Sequence, residues 1–288
     1  MVNEKPSAMR IRQGFQTFMT QTRGNTVFKP SLFELVNVDI KIKNLPFIFH
    51  NYRIINLTDI HLGQWISPEY LEGVVDYVNA LNPDMITLTG DYVSYILEGY
   101  EEALLDSFKR LKAKDGKYAV LGNHDHWAGA DEIKEILTSS DIVDLSNDVY
   151  TLEKEGEKLN VCGVDSCTVE ADDLDKVLEK LPDDGTNILL VHEPDFAEIS
   201  SKTGKFDFQM SGHSHGGQLV IPGVKTTPLR CSYSIKYPVG IYNVNDMIQY
   251  TSKGLGTNSF WLRINCKPEI TSFYLKTTKR KSIDIIED

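Results

Sequence analysis

Three polar residues are equally spaced along the first half of the chain, and each follows a short apolar run. They are Asp59, Asp91 and Asn123, and successive members are 32 positions apart. One strand–helix–strand unit takes about thirty residues, and right-handed crossovers bring successive parallel strands into one sheet. The spacing therefore predicts three strands of one sheet whose carboxyl ends carry these side chains along one edge, where open α/β sheets bind ligands.

Apolar periodicity predicts the helices that connect these strands. Ser67 and Pro68 suit the N-cap and the first position of a helix that runs to Leu81, and its apolar stripe has the helical period. The same period recurs over residues 100–114. A shorter helix is predicted over residues 131–139, and after it the pattern favours short strands.

Two later apolar runs, 187–191 and 206–210, lead into histidines. The second run precedes Ser-Gly-His-Ser-His-Gly-Gly-Gln at 211–218, whose glycines permit a sharp bend because glycine accepts positive φ. Along the whole chain, five of the seven histidines lie where an apolar run ends. They are His61, His124, His192, His213 and His215. Histidine is the commonest nitrogen ligand of zinc, iron and manganese-type ions, so this distribution predicts a metal site.

Seven nitrogen and oxygen donors meet at the predicted sheet edge, and the set contains no sulfur. They are Asp59, His61, Asp91, Asn123, His192, His213 and His215. Seven donors exceed what one tetrahedral zinc ion takes and suit two ions that share a carboxylate. Two ions about 3.5–4 Å apart can hold a hydroxide nucleophile and clamp the oxygens of a phosphoryl displacement. Such donors admit manganese, iron or zinc.

Composition narrows the partners and the compartment. The formal net charge of −11 argues against a nucleic-acid partner, because nucleic-acid binders present a basic face. The four cysteines show no paired spacing, which suits a reducing compartment. We therefore expect a cytoplasmic protein. Arg10 and Arg12 beside apolar residues make the N-terminal arm a candidate for peripheral membrane contact, and the sequence indicates no oligomeric state.

The order of five short motifs resembles that of the calcineurin-like metallophosphoesterase superfamily. The motifs are D-x-H at 59–61, G-D at 90–91, G-N-H-D at 122–125, His192, and G-H-x-H at 212–215. The resemblance implies an α/β fold, a four-layer αββα sandwich of two mixed β-sheets flanked by helices. The resemblance covers roughly residues 50–275. We expect an N-terminal arm (1–34), disordered or loosely packed, a metallophosphoesterase domain (35–276) and a C-terminal tail (277–288).

The resemblance also implies a role for each site residue. One ion would be bound by Asp59, His61, Asp91 and His215. The second would be bound by Asp91, Asn123, His192 and His213. Asp91 would thus bridge the two ions. His124 would be the non-ligand histidine that contacts the phosphate and protonates the leaving oxygen.

The motifs further restrict the branch of the superfamily. Ser94, Tyr95 and Leu121 stand where Ser/Thr protein phosphatases carry an Asp and two phosphate-gripping arginines, which argues against that class. Segment 252–256 and Arg263 resemble the corresponding residues of one microbial branch of the superfamily. That branch includes phosphodiesterases and UDP-2,3-diacylglucosamine pyrophosphate hydrolases. The first expectation is a dinuclear phosphoesterase that cleaves small phosphodiesters or phosphomonoesters through a metal-bridging hydroxide. A lipid-linked pyrophosphate hydrolase is the alternative, and a non-catalytic binding scaffold is the remote one.

Four aromatic residues follow the motifs directly, and they either form walls for a base, sugar or acyl group or merely pack in the core. They are Trp65, Tyr92, Tyr95 and Trp127. Of the two histidines outside the predicted site, His50 is expected to be structural. His126 either lines the substrate pocket or packs against its neighbours.

Overall fold

A computed structural model describes residues 28–221, 231–258 and 262–278. Within these ranges the chain forms two six-stranded sheets and a set of flanking helices. The strands are β1 (Glu34–Ile42), β2 (Arg53–Leu57), β3 (Met85–Thr89), β4 (Lys117–Val120), β5 (Val143–Asp144), β6 (Asp148–Lys154), β7 (Glu157–Val164), β8 (Thr186–Val191), β9 (Phe208–Ser211), β10 (Gly240–Val244), β11 (Met247–Thr251) and β12 (Glu269–Thr277). The α-helices are α1 (Pro68–Ala80), α2 (Glu101–Arg110), α3 (Asn123–Ser139), α4 (Leu174–Lys180) and α5 (Ala197–Ser200).

The first sheet has the strand order β1-β12-β2-β3-β4-β5. β2, β3 and β4 are parallel neighbours, as the spacing of the polar residues predicts. Asp59, Asp91 and Asn123 all lie within three residues of the carboxyl ends of these strands. β12 enters antiparallel beside β2 and makes the sheet mixed. Three of the predicted ligands therefore share one edge of this sheet.

The second sheet has the strand order β10-β11-β9-β8-β7-β6. Its central strands β7, β8 and β9 are parallel, and the outer pairs β6–β7 and β10–β11 are antiparallel. His192 follows β8, and both His213 and His215 follow β9. The histidines of the second half of the chain thus lie at the carboxyl ends of two neighbouring strands.

Three hydrophobic clusters fill the spaces between the four layers. Ile54 of β2 and Ile188 of β8 belong to a cluster between the two sheets. Ile55 faces the opposite side and packs with the apolar stripes of α1, α2 and α3, whereas Leu189 packs with α4 and α5 beyond the second sheet. This alternation follows from the period of two along a strand. The expected four-layer αββα sandwich of two mixed sheets is confirmed.

Two local expectations differ from the structure. The helix predicted over 131–139 begins at Asn123, inside the G-N-H-D motif, and is kinked at Gly129 with φ 140°. The kink interrupts the apolar period of the helix, so the sequence pattern does not indicate the half of the helix before Gly129. The strands predicted around 219–221 and 261–265 reduce, in the described part, to one bridge between Leu219 and Ile264.

The ends of the chain remain a matter of prediction. Residues 1–27 and 279–288 lie outside the described ranges, so the boundaries of the arm, domain and tail stay predictions, as does membrane contact through the arm. Within the described ranges, no helix combines the length and the apolarity that a bilayer crossing requires.

Candidate metal centre

All seven predicted ligands are buried, with at most 5% of any of them exposed, and they converge where the two sheets meet. The aspartate and histidine donors among them form two groups. The first group contains Asp59, His61 and His215, and the second contains Asp91, His192 and His213. Asp91 also approaches the first group, because its Oδ2 lies 3.5 Å from Nε2 of His61. One carboxylate therefore contacts both groups.

The first group is tightly packed. Nε2 of His61 lies 3.1 Å from Nε2 of His215, and the same His215 nitrogen lies 3.3 Å from Oδ1 of Asp59. Nδ1 of His61 donates to Oγ of Ser94 at 3.2 Å, and this hydroxyl donates onward to Gln64. The Nε2 lone pair of His61 is therefore directed towards the other donors.

Hydrogen bonds also orient the two histidine rings of the second group. Nδ1 of His192 donates to the carbonyl of Thr89 at 2.7 Å, and Nε2 of His213 donates to the carbonyl of Ser232 at 2.8 Å. These bonds leave the opposite ring nitrogens without hydrogen in the neutral tautomers. Those two nitrogens face each other at 3.2 Å. When both rings are neutral, these two lone pairs repel each other, and a cation between them would remove the repulsion.

Asn123 gives a second indication that the residues fit a cation. Its Oδ1 is buried and has no hydrogen-bond partner in the described part of the chain. A buried oxygen without a partner costs free energy, and a metal ion would satisfy it. Together with the facing histidine nitrogens, this orphaned oxygen shows that the predicted ligand set suits bound divalent ions.

Burial sets the protonation of the first group. Removal of the His61 and His215 rings from water lowers the pKa of both well below the usual histidine value. Both rings are therefore neutral at pH 7 and can ligate. His192 differs: burial opposes its protonation, but the adjacent Asp91 carboxylate, 3.1 Å away, raises its pKa well above the usual value. A bound cation would take the place of this proton beside Asp91.

Five of the seven residues hold an uncommon backbone conformation. Asp59, His61, Asp91, His213 and His215 have φ between 48° and 66°. Non-glycine residues seldom adopt this left-handed region, and such conformations cluster at functional sites because the surrounding structure must maintain them. The backbone is thus bent so that the side chains turn inward from the strand ends.

Two glycines of the motifs allow close backbone approach. A Cβ on Gly122 would lie 2.2 Å from Oδ1 of Asp91, and a Cβ on Gly212 would lie 2.2 Å from Oδ2 of Asp59. Neither position has room for a methyl group. This explains why glycine precedes both the N-H-D and the H-x-H segments.

His124 lies against both groups but is held differently. Its backbone N–H donates to Oδ1 of Asp91 at 2.9 Å, and its Nδ1 donates to the carbonyl of Ser94 at 2.6 Å. The rings of Tyr95 and Trp127 pack at 4.6 and 4.7 Å from the imidazole. These contacts fix the ring beside the metal-binding groups. His124 also lies within ligand distance of His61 and Asp91, so its non-ligand role stays a prediction.

The structure adds residues that the sequence did not single out. Asp125 is buried and accepts from the backbone N–H groups of Asp91, Tyr92 and Gly122 at 2.7–2.9 Å, which ties the end of β3 to the start of α3. Burial, together with the Asp91 carboxylate, raises the pKa of Asp125 to about 7. The D of G-N-H-D was the available signal for this role.

The structure also places the aromatic residues and histidines outside the ligand set. Tyr92 is fully buried and donates to the carbonyl of Val120, so it is a core residue and the expectation that it forms a pocket wall is wrong. Trp65 is half-buried and packs against the first core cluster. His126 is paired with Asp165 at 2.7 Å. His50 stacks on Phe47, and its Nδ1 accepts from the backbone of Thr277, a structural role.

Fold and site together define an α/β metallohydrolase. The chain belongs to the calcineurin-like phosphoesterase family, since the profile described by that name matches residues 52–217. The uncharacterized metallophosphoesterase YkuE of Bacillus subtilis is 32% identical over 255 residues, which cover 87% of this chain and 88% of that protein. The phosphodiesterase YaeI of Escherichia coli is 27% identical, with 86% and 90% covered. The expectation of a metal-binding phosphoric ester hydrolase is confirmed.

Membrane association also occurs among the relatives. A transmembrane protein with metallophosphoesterase domain from Danio rerio is 29% identical over 259 residues. The match covers 84% of this chain but 57% of the zebrafish protein. The part held in common is therefore confined to a portion of that longer protein.

Proposed function

We propose that this protein is a dinuclear metal-dependent phosphoesterase that hydrolyses small phosphodiesters, and phosphomonoesters less well. The observation that carries the proposal is the pair of donor groups that Asp91 connects: ring nitrogens of His61 and His215 lie 3.1 Å apart in one group, and those of His192 and His213 lie 3.2 Å apart in the other. Manganese, iron and zinc all accept such nitrogen and oxygen ligands. In this proposal Asp59, His61, Asp91 and His215 hold one ion, and Asp91, Asn123, His192 and His213 hold the second.

The protein's own groups then position the reaction. Two bound ions supply an activated water nucleophile and neutralise charge on the phosphoryl oxygens. Asp91 fixes the separation of the two groups because it contacts both. Thr89 and Ser232 fix the tautomers of His192 and His213 through their carbonyls. The ligand rings are thus oriented before a substrate binds.

His124 serves as the proton donor in this proposal. Its Nδ1 is committed to the carbonyl of Ser94, so the remaining ring nitrogen, Nε2, is the one available to the leaving oxygen. Burial lowers its pKa, and the negative charge of a bound phosphate would favour its protonated form. The protonated Nε2 would transfer its proton to the leaving oxygen, which departs as an alcohol and leaves the imidazole neutral.

The surroundings favour a diester over a doubly charged monoester. By the family resemblance, Tyr95 and Leu121 stand where protein phosphatases carry the two phosphate-gripping arginines. Tyr95 and Trp127 lie nearly parallel, at 4° and with centroids 6.3 Å apart, beside the proposed proton donor. Trp127 is half-buried, so its ring can contact a substituent on the second ester oxygen. The name of YaeI, a phosphodiesterase, agrees with this preference.

We expect diester or pyrophosphate substrates to exceed simple monoesters and phosphoserine peptides in kcat/KM, measured with Mn²⁺ added. Ring contacts of about 0.5–1.5 kcal/mol each give a preference of about tenfold. The assay compares one aryl diester, one nucleotide pyrophosphate, one aryl monoester and one phosphopeptide. The Asp91→Asn variant, prepared in parallel, reports contaminating activity. Faster turnover of the phosphopeptide than of every diester contradicts the proposal.

A lipid-linked pyrophosphate is the second candidate substrate, and one surface feature favours it. Val220, Ile221, Leu262 and Ile264 are 38–54% exposed. They lie on two segments that pair through the backbones of Val220 and Ile264, and the neighbouring Arg263 contacts His215. We call these four residues the apolar rim. The rim would suit an acyl chain attached to the phosphate group.

The double substitution Leu262→Ser with Ile264→Ser tests the apolar rim. If acyl chains bind there, KM for a long-chain pyrophosphate rises about tenfold or more, since each buried side chain contributes about 1.5–3 kcal/mol. Turnover of a small diester stays unchanged. Ile199 is 53% exposed on α5, and Ile199→Ser is the matched control. Equal KM values for the rim variant and the control exclude the lipid-linked candidate.

A further inference from the structure

The guanidinium of Arg263 lies between the H-x-H loop, which carries His215, and segment 252–256, which packs against the loop that carries Asp59. Its Nη2 donates to the carbonyls of Lys253 at 2.7 Å and Gly254 at 3.2 Å, and its Nε donates to the carbonyl of Gly256 at 2.9 Å. On the other side, Nη1 donates to the carbonyl of His215 at 3.4 Å. The side chain thus links segment 252–256 to the H-x-H loop.

Segment 252–256 is packed directly onto the first motif. The backbone N–H groups of Leu255 and Gly256 donate to the carbonyls of Thr58 and Asp59 at 3.1 and 2.6 Å. Gly254 has φ 66°, and a Cβ there would lie 2.5 Å from Cβ of Asp59. A shift of this segment would therefore move Asp59.

Most partners of Arg263 are backbone carbonyls, and the other two are Nδ1 of His215 at 3.4 Å and Sγ of Cys266 at 3.8 Å. A buried guanidinium is costly unless its N–H groups are satisfied, and backbone oxygens satisfy them here without engaging the Asp59 carboxylate. The carboxylate remains available to a metal ion. A fixed positive charge beside a cation site opposes cation binding, so electrostatic attraction does not explain this arginine, whereas positioning does.

We infer that Arg263 is a positioning residue that holds His215 in register with Asp59 and His61, and so forms the first of the two ion sites. This inference rests on the proposed two-ion function. The planar fork of arginine reaches several carbonyls at once, which a lysine ammonium on a flexible stem cannot reproduce. Arg263 lies beyond residue 217, where the match to the family profile ends.

The test compares metal binding by the wild type, Arg263→Lys and Arg53→Lys. Arg53 is the matched control, because it also donates to a side chain and a backbone carbonyl, Ser272 and Leu81, but at the opposite end of β2 from Asp59. Mn²⁺ stoichiometry is measured by elemental analysis after dialysis, and affinity by competition with a chelating dye. We expect two equivalents in the wild type and in Arg53→Lys. Arg263→Lys should retain one, with its other site weakened about 10–100-fold, as for residues that orient ligands.

Gly254→Ala disturbs the packing of segment 252–256 against Asp59. It is therefore also expected to weaken the first ion site. Two equivalents of unchanged affinity in Arg263→Lys overturn the inference. So does equal loss at both sites, or loss of cooperative thermal unfolding in the metal-free variant, since either outcome assigns Arg263 to the fold as a whole. A wild-type protein that binds fewer than two equivalents contradicts the two-ion proposal itself, and the inference fails with it.

Discussion

Asp91→Asn is expected to abolish the binding of both ions while the protein stays folded. Asp91 is the carboxylate that contacts both donor groups, through Nε2 of His61 and Nε2 of His192. Asparagine keeps the shape and one oxygen but not the charge that two cations share. The rate should fall by more than about 10³, because loss of a single preorganised electrostatic contact already costs about 10²–10³.

Two further variants make this result specific. Asp59 belongs to one donor group, so Asp59→Asn should retain one metal equivalent. Asp76, an exposed residue of α1, provides the control Asp76→Asn, which should retain two. Elemental analysis and a thermal unfolding curve are measured for all three proteins. An active Asp91→Asn protein with two full equivalents would contradict the assignment of Asp91 as the bridge.

The parallel arrangement of three strands and the location of the site were predictable because both depend on chain spacing. A distance of 32 residues fits a strand, a crossover helix and a second strand, and the parallel strands β2, β3 and β4 follow from it. The polar residues after each strand then meet at one edge for topological reasons. The ligand set could be proposed from sequence because histidine and aspartate seldom end buried strands together without a site.

The orientation of the ligands could not be predicted. The tautomers of His192 and His213 depend on the carbonyls of Thr89 and Ser232, and a backbone carbonyl has no side-chain signal in the sequence. Arg263 is separated from His215 by 48 positions, and its contact depends on how two loops pack. Such contacts arise from tertiary packing, which local periodicity does not contain.

The orientation of the aromatic residues next to the motifs could not be predicted from the sequence either. Tyr92 and Tyr95 both follow β3 within a few residues, yet Tyr92 points into the core beside Phe108 and Tyr95 packs on His124. Asp91 has φ 58°, and this turn determines which following side chain faces the site. A strand-end motif therefore predicts which segment lies at the site, but not which of its neighbouring side chains faces it.

His124→Ala is expected to lower the rate by about 10²–10⁴, the usual contribution of a general acid, while both metal equivalents remain. The backbone N–H of His124, which donates to Asp91, is retained in the variant. His124→Gln is the matched substitution, because it keeps a polar side chain beside Ser94 but cannot act as an acid. Loss of metal in either variant would make His124 a ligand and contradict the assigned role.

The dependence on leaving group and pH separates an acid from a structural residue. Protonation matters for esters whose leaving group is a strong base, so the defect of His124→Ala should be large for alkyl esters and small for nitrophenyl esters. The ratio of these two rates cancels any effect of pH on nucleophile formation. Burial lowers the pKa of His124, so its protonated form is lost as pH rises. The alkyl-to-nitrophenyl ratio should therefore fall with rising pH in the wild type and be independent of pH in His124→Ala, and a pH-independent ratio in the wild type would show that His124 does not donate the proton.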